Sequence, residues 1–304
     1  MVARAVAGPL VIGLDVGGTK ILSGLVDRDG NVVAEREVHS PGESQVELLE
    51  ALDAEVEMFL DDRVVAIGYG IPARLERGTG LLLQAVNLPL ESVDLATRAT
   101  ERYGLPVGVE NDASVAALGE WKRGAARGAK NLVMLTLGTG VGGGIVIDGR
   151  LFRGWAELGH IVIQEGGPLC ACGGRGHLEV LASGHAGDRV AQDLYGRDAN
   201  AHTLIDRARG GDQGAREALA GIGASLGAAI GSLVNIFNPE LVVVGGGFGA
   251  AAGELVLGPA REAARCEAMP PADESLRVVP AELGAEAGLV GAGLVGFEAL
   301  DEAV

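Results

Sequence analysis

The hydrophobic pattern of the first third of the chain predicts three consecutive strands followed by alternating helices and strands. Short apolar runs come first, and the turn Asp29-Gly30-Asn31 joins the second run to the third. Apolar residues then recur at helical spacing, with Val46, Leu49 and Val56 on or near one face of the first helix. The predicted elements are strands at 10–15, 21–26, 32–37, 64–70 and 107–109 and helices at 44–61 and 92–103.

The same order of elements begins to repeat in the second half of the chain. Apolar runs at 132–137, 144–147 and 161–164 predict another three-strand meander. Helices follow Leu178, and 241–244 has the composition of a buried strand. The two halves share no obvious sequence identity, so the repeat is one of architecture.

This repeat predicts a two-domain α/β fold with an interdomain cleft between similar halves. The first predicted domain is a small α/β domain at 1–113, which a C-terminal helix at 288–304 completes. The second is a larger α/β domain at 114–287.

Composition and charge narrow the class of protein. Of the 304 residues, 48% are hydrophobic but only 3% aromatic, so Leu, Val, Ile and Ala must fill a large core. The net charge of −17 argues against binding to nucleic acid or to an anionic membrane surface. The segment before the first strand is too short for a signal peptide, and the most apolar helix, 219–237, contains residues typical of a buried helix. We therefore expect a cytoplasmic protein.

Two glycine-rich turns are the strongest indication of function. One follows an apolar run and has five glycines from Gly138 to Gly144; the other lies in GLDVGGTK at 13–20. Turns without side chains expose backbone N–H groups that can surround a phosphate. Two such turns in one chain indicate a polyphosphate that is bound from two sides.

The first turn offers several groups to such a ligand. Gly17 and Gly18 allow the backbone to approach phosphate oxygens, and Thr19 and Lys20 can donate hydrogen bonds to them. Asp15 can hold Mg²⁺ through water. The Walker A pattern is absent, and a plain hairpin turn with a capping aspartate is the alternative.

Two stretches imitate a dinucleotide-binding fingerprint. Gly138, Gly140 and Gly143 have the spacing, but a strand follows them where the fingerprint requires a helix. The later match over 245–250 follows a strand and precedes a short helix, which keeps a nicotinamide dehydrogenase as an alternative. Too little sequence follows it for a full dinucleotide domain. The run Gly245, Gly246 and Gly247 could equally hold the adenosine end of a nucleotide.

Asn111 and Asp112 open a predicted helix directly after a strand. An aspartate at such a position is often only a helix cap. The functional alternative is that Asp112 takes a proton from a substrate hydroxyl, as a carboxylate does in kinases, while Asn111 hydrogen-bonds a sugar.

Four potential metal ligands lie close together in the segment 155–180. They are His160, Cys170, Cys172 and His177, with intervals of ten, two and five residues. This spacing fits one structural, tetrahedral Zn²⁺, and nearby glycines allow the tight turns required. The carboxylates Glu157 and Glu179 flank the four and are candidates for binding sugar hydroxyls.

Taken together, these motifs resemble the ROK family of sugar kinases and repressors, and specifically its ATP-dependent glucokinases. The resemblance covers nearly the whole chain. It consists of DVGGTK at 15–20, ENDA at 110–113, LGTGVGGG at 137–144, ELGH at 157–160, CACGGRGHLE at 170–179 and VVVGGG at 242–247.

The resemblance implies an actin-like, ribonuclease-H-like fold and phosphorylation of the 6-hydroxyl of glucose, with ATP and Mg²⁺. It implies that Asp112 is the catalytic base and that 17–20 and 138–140, including Thr139, meet the phosphates. It implies zinc ligation by the histidine of ELGH and by the cysteines of the later motif. The sugar contacts that it implies are Asn87, Asn111, Asp112, Glu157, His160 and Glu179.

The chain departs from the family pattern in three places. His177 stands where the third zinc cysteine is usual, Ala73 replaces a glycine after Ile71-Pro72, and Trp155-Ala156 replaces Ala-Gly. The last two border the implied sugar pocket, so other hexoses stay open: N-acetylmannosamine, N-acetylglucosamine, fructose and mannose. A non-catalytic sugar-binding regulator is a further alternative, although no helix-turn-helix precedes Val11. The resemblance to the family also implies a homodimer or homotetramer.

Overall fold

The computed structural model describes residues 8–76, 80–85 and 87–303. The N-terminal segment on which the signal-peptide expectation rests lies mostly outside these residues. The strands are β1 (Leu10–Val16), β2 (Lys20–Asp27), β3 (Val32–His39), β4 (Val64–Ile71), β5 (Ala73–Leu75), β6 (Leu82–Ala85), β7 (Glu91–Val93), β8 (Val107–Asn111), β9 (Leu132–Leu137), β10 (Val141–Ile147), β11 (Arg150–Leu151), β12 (Leu241–Gly245) and β13 (Val278–Pro280).

Most of the other regular elements are α-helices. They are α1 (Gln45–Phe59), α2 (Leu95–Tyr103), α3 (Asp112–Arg123), α4 (Leu178–Ala182), α5 (Gly184–Tyr195), α6 (Ala201–Arg209), α7 (Gln213–Phe237), α8 (Gly247–Ala252), α9 (Glu254–Glu267), α10 (Ala272–Ser275) and α11 (Glu286–Glu302), with a short 3-10 turn at Leu158–His160.

The chain divides into two compact units. Unit 1 contains the described parts of Met1–Gly128, Leu151–Trp155 and Ala285–Val304, and unit 2 contains Ala129–Arg150 and Ala156–Gly284. The division falls after Gly128, whereas the sequence placed it at 113. The physical reason is that α3 packs on α11: a Cβ on Gly119 would overlap the carbonyl of Ala287.

The two units have sheets of the same strand order. The sheet of unit 1 runs β3-β2-β1-β4-β8, and the sheet of unit 2 runs β11-β10-β9-β12-β13. In each sheet the first two strands pair antiparallel, the third strand lies next to the second, and the last two strands are added in parallel on the other side of the first. The architectural repeat predicted from the hydrophobic pattern is therefore present.

The third strand of the second meander is not where the sequence placed it. It is the two-residue β11, while 161–164 forms only an isolated bridge between Val162 and His177. The backbone N–H groups of Ile163 and Gln164 both donate to the carbonyl of Gly176, so the glycine-rich loop takes the hydrogen bonds that a sheet would need.

Glycines allow α11 to lie close against the sheet of unit 1. Gly13, Gly68 and Gly108 are cross-strand partners on β1, β4 and β8. A Cβ on Gly13 would stand 2.8 Å from the carbonyl oxygen of Leu289, and one on Gly68 would overlap that of Ala292. These three glycines, which have no side chains, therefore set the distance between α11 and the sheet of unit 1.

Two helices show which apolar faces are buried. In α1 the buried apolar residues are Leu48, Leu52 and Val56, whereas Val46 is exposed, so the predicted face was partly wrong. Within the described residues, α7 is the helix long and apolar enough to cross a membrane by length and composition. More than half of its most apolar stretch is buried, and it packs closely on α9, as a core helix of unit 2 does.

Candidate active site

The first glycine turn links β1 to β2 in unit 1. The N–H of Gly17 donates to the carbonyl of Lys20 at 2.8 Å, and the N–H of Ser40 donates to Thr19 at 3.0 Å. Asn87 lies beside this turn, because a Cβ on Gly18 would stand 3.1 Å from the carbonyl oxygen of Asn87. The structure thus brings together a predicted sugar contact and the predicted phosphate turn.

Lys20 forms an ion pair that the sequence did not predict. Its Nζ lies 2.6 Å from Oε2 of Glu37 on the neighbouring strand, and both side chains are about half exposed. Exposed pairs of this kind contribute at most about 1 kcal/mol. A phosphate could therefore replace Glu37 as the partner of Lys20 at little cost.

Asp15 lies at the end of β1, where its carboxylate packs directly against Gly288 of α11. Burial raises the pKa of Asp15 to about 7; the nearby Asp112 carboxylate adds to the shift and Lys20 opposes it. In the sheet, Asp15 pairs with Gly70 on β4. Asp112 follows β8 on the other side of β4, so the carboxyl ends of these parallel strands place two carboxylates close together.

Asn111, not Asp112, caps α3. Its Oδ1 accepts hydrogen bonds from the N–H groups of Ala113 at 2.9 Å and Ser114 at 3.2 Å. Its Nδ2 donates to the carbonyl of Ala73 at 3.4 Å. The cap alternative for Asp112 was therefore wrong, and that carboxylate belongs to the first residue of the helix itself.

Glu110 is a buried carboxylate to which the sequence assigned no role. Its Oε1 accepts from the N–H of Asn111 at 2.9 Å, and its Oε2 accepts from Nη1 of Arg153 at 2.9 Å. Burial raises the pKa of Glu110, and these two hydrogen bonds act in the opposite direction. A sequence signal for Glu110 existed, because it is the first residue of the ENDA motif. Its ion-pair partner Arg153, however, is distant in sequence.

The second glycine turn links β9 to β10 in unit 2. The N–H of Gly138 donates to the carbonyl of Gly140 at 3.0 Å. The start of α5 supports the turn from outside, because the N–H of Gly184 donates to Gly138 at 2.8 Å and that of His185 donates to Thr139 at 3.3 Å. The helix thereby fixes the turn's backbone.

Glu157, His160 and Glu179 all lie near the start of β10. Oε2 of Glu179 accepts from the N–H of Val141 at 3.1 Å, and this carboxylate occupies the space that a Cβ on Gly140 would need. The 3-10 turn packs on the same strand, and Nε2 of His160 lies 4.0 Å from Oε2 of Glu157. These three predicted sugar contacts are therefore brought together.

The glycines Gly245, Gly246 and Gly247 lie at the same edge of this sheet as the second turn. Gly245 pairs in parallel with Thr136, near the end of β9. Gly246 has a φ of 83° and lies so close to Leu137 that a Cβ would overlap its backbone. Around a Cβ on Gly247 there is open space among the described atoms, so a ligand can approach there.

The four predicted metal ligands form one cluster. Their ligand atoms, on His160, Cys170, Cys172 and His177, all lie within 4.8 Å of one another. Sγ of Cys170 is 3.7 Å from Nδ1 of His160, and Sγ of Cys172 is 3.2 Å from Nδ1 of His177. Ligands of a tetrahedral zinc ion stand about 3.5 Å apart, so this donor set fits such an ion. Both cysteines are free thiols.

Each unit therefore collects its predicted residues at the carboxyl edge of its own sheet, with a glycine turn after the first strand. This arrangement defines a two-domain protein of the actin-like ATPase class.

Comparison with known proteins identifies the family. The model of the ROK family matches residues 11–296. A glucokinase of Thermotoga maritima is 36% identical over 303 residues, which cover 93% of this chain and 95% of that protein. The chain belongs to the ROK family.

Solved structures of the family are similar over nearly the whole chain. A ROK family glucokinase from Streptomyces griseus in complex with glucose and AMPPNP has a TM-score of 0.83 and 35% identity, covering 95% of this chain and 99% of that one. A ROK hexokinase from Thermus thermophilus has a TM-score of 0.85 and 35% identity, covering 96% and 99%. This full-length similarity leaves no support for the dehydrogenase alternative.

Proposed function

We propose that this chain is an ATP-dependent glucokinase that transfers the γ-phosphoryl group of ATP to the 6-hydroxyl of glucose. The observation that carries the proposal is full-length similarity to glucokinases, including one solved with glucose and AMPPNP. The residues that we assign to this reaction are those described above at the ends of the two sheets.

In this reaction Asp112 accepts the proton of the 6-hydroxyl as that oxygen attacks the γ-phosphorus and ADP leaves. Backbone N–H groups of 17–20, and likewise those of 138–140, would donate to phosphate oxygens, where negative charge develops. The run 245–247 lies on the adenosine side. Asp15 would hold Mg²⁺ through water, and the ion would neutralise phosphate charge when bound.

Asn87, Asn111, Glu157, His160 and Glu179 would orient the sugar. The ring of His160 supports two roles, because Nδ1 points to the cysteine cluster and Nε2 lies on the side of Glu157. A zinc ion held by His160 and the other three ligands would fix this orientation.

A coupled assay of ADP release tests the proposal with purified protein. Glucose should give the highest kcat/KM among glucose, mannose, fructose, N-acetylglucosamine and N-acetylmannosamine, with ATP preferred over polyphosphate. Sugar binding measured by calorimetry without any turnover would instead identify a regulator. Light scattering would test the expected homodimer or homotetramer.

A further inference from the structure

A short segment of unit 1, Leu151–Trp155, is attached to β8, the strand that ends directly before the proposed base Asp112. Its neighbours in sequence on both sides belong to unit 2. Two of its side chains attach it: Arg153 bonds to Glu110, and Nε1 of Trp155 donates to the carbonyl of Leu75 at 3.0 Å. We call this segment the strap.

Arg153 connects two carboxylates on different elements. One guanidinium nitrogen donates to Glu110 at the end of β8, and another donates to Glu298 on α11. Glu110 is buried, whereas Arg153 and Glu298 are substantially exposed. Since a buried carboxylate needs its partners far more than an exposed one does, the bond to Glu110 is the more consequential of the two.

The hydrogen bonds continue from Glu110 to the residues on either side of Asp112. Glu110 accepts from the backbone of Asn111, and Asn111 accepts from the backbone of Ala113. The backbone of residue 112 thus lies between two anchored peptides. The strap is also connected to Asn111 through β5. Trp155 donates to Leu75 of this strand, and the carbonyl of Ala73, its first residue, accepts from the side chain of Asn111.

We infer that Arg153 is a positioning residue for Asp112 and acts through Glu110, an inference that rests on the proposed kinase function. Without Arg153, Glu110 keeps only the backbone N–H of Asn111 as a hydrogen-bond partner. The Glu110 side chain can then move, so the acceptor of that N–H is no longer held in place. A displacement of about 1 Å at a catalytic group can lower the rate by about a hundredfold. The substitution should therefore affect turnover more than sugar binding.

The matched control is Arg28. It also links to α11, through two 2.8 Å hydrogen bonds to Asp301, and its exposure is similar. Arg28 has no contact with β8 among its described bonds. Arg153→Gln and Arg28→Gln therefore remove the same charge and one arginine link to the same helix, but only the first disturbs Glu110.

The experiment measures kcat, the dissociation constant for glucose and the melting temperature of the wild type and four variants. Arg153→Gln should lower kcat roughly tenfold or more while glucose affinity changes less than about threefold. Arg153→Lys should restore most of the loss, and Arg28→Gln and Glu298→Gln should keep kcat within about twofold.

Equal kcat for Arg153→Gln and Arg28→Gln would overturn the inference, and so would a loss that the Lys variant does not recover. Should Arg153→Gln fail to fold, Glu110→Gln replaces it with the same shape, and a wild-type kcat there would overturn the inference as well. A wild type without glucose-dependent ADP release would instead refute the proposed function, so the two failures are distinguishable.

Discussion

The two glycine turns occupy the same place in two sheets of the same strand order, yet different partners hold them. In unit 1 the turn at 17–19 lies beside the carboxylate of Asp15 and the backbone of Asn87. In unit 2 the turn at 138–140 is bonded to the start of α5, and the carboxylate of Glu179 accepts from the N–H of Val141 directly after the turn. The shared topology provides two glycine turns at corresponding places, and their different partners distinguish them.

The difference extends to what surrounds each turn. Unit 1 places Asp15 and Asp112 close enough for one carboxylate to raise the pKa of the other. In unit 2 Glu179 reaches from its turn to the cysteine cluster, with Sγ of Cys170 3.8 Å from Oε1. Under the proposed function, unit 1 would contribute the carboxylates Asp15 and Asp112, and unit 2 would contribute Glu179 and the metal cluster beside it.

The largest effect should come from removing the proposed base of unit 1. Asp112→Asn should lower kcat by at least about a hundredfold, because a lost general base costs at least that much, while glucose binding persists. The control is Asp94→Asn, which changes a helix-capping aspartate of α2 for another good cap. A variant that kept a tenth of the normal kcat would remove Asp112 from this role.

In unit 2 the corresponding test concerns the metal cluster. Purified protein should contain about one zinc per chain, and Cys172→Ala should lose the metal and lower the melting temperature, because a closed site needs all four ligands. Cys266→Ala, an exposed cysteine outside the cluster, is the control. Elemental analysis and thermal melts give the readout. Full activity and stability in zinc-free protein would show that the cluster is dispensable.

The sequence predicted the local elements of both units better than their long-range partners. Apolar runs and turns predicted the first meander and two strands of the second, and the ligand spacing predicted the metal cluster. The two-residue β11 is too short to produce a hydrophobic pattern. The cap of α3 was expected at Asp112 or nowhere, but Asn111, one residue earlier, forms it, because asparagine caps as well as aspartate does. The bond between Arg153 and Glu110 joins residues far apart in the chain, and the hydrophobic periodicity of a sequence does not predict such contacts.

The packing of α11 on the sheet gives a stability test that is specific to unit 1. Gly68→Ala should lower the free energy of unfolding by about 3 kcal/mol, because its Cβ would overlap the backbone of α11, which cannot move without shifting the whole helix. Gly42→Ala is the control, since a Cβ there meets no described atom within 4 Å. Urea unfolding monitored by circular dichroism measures both. Equal midpoints would contradict the close packing.

The raised pKa of Asp15 predicts a pH dependence of stability. Between about pH 4 and 7 the folded chain keeps a proton on Asp15 that the unfolded chain has lost, so this group makes unfolding easier as pH rises through that window. Asp15→Asn should match the wild type near pH 4 and be more stable by about 4 kcal/mol at pH 8, in buffer without Mg²⁺. A constant difference between the two proteins across pH would contradict the shift.

The smallest predicted effect lies where the strap of unit 1 passes into unit 2. Ala156 has a φ of 47°, in the left-handed region, which costs a residue with a Cβ about 1 kcal/mol or more. Ala156→Gly removes that strain but gives the unfolded chain more freedom, so the net gain in unfolding free energy should be below about 1 kcal/mol. Ala73→Gly, in the extended backbone of β5, lacks the strain and should instead destabilise. Urea titrations measure the unfolding free energy of both variants. A loss of stability for Ala156→Gly as large as that for Ala73→Gly would mean that the backbone at Ala156 is not strained.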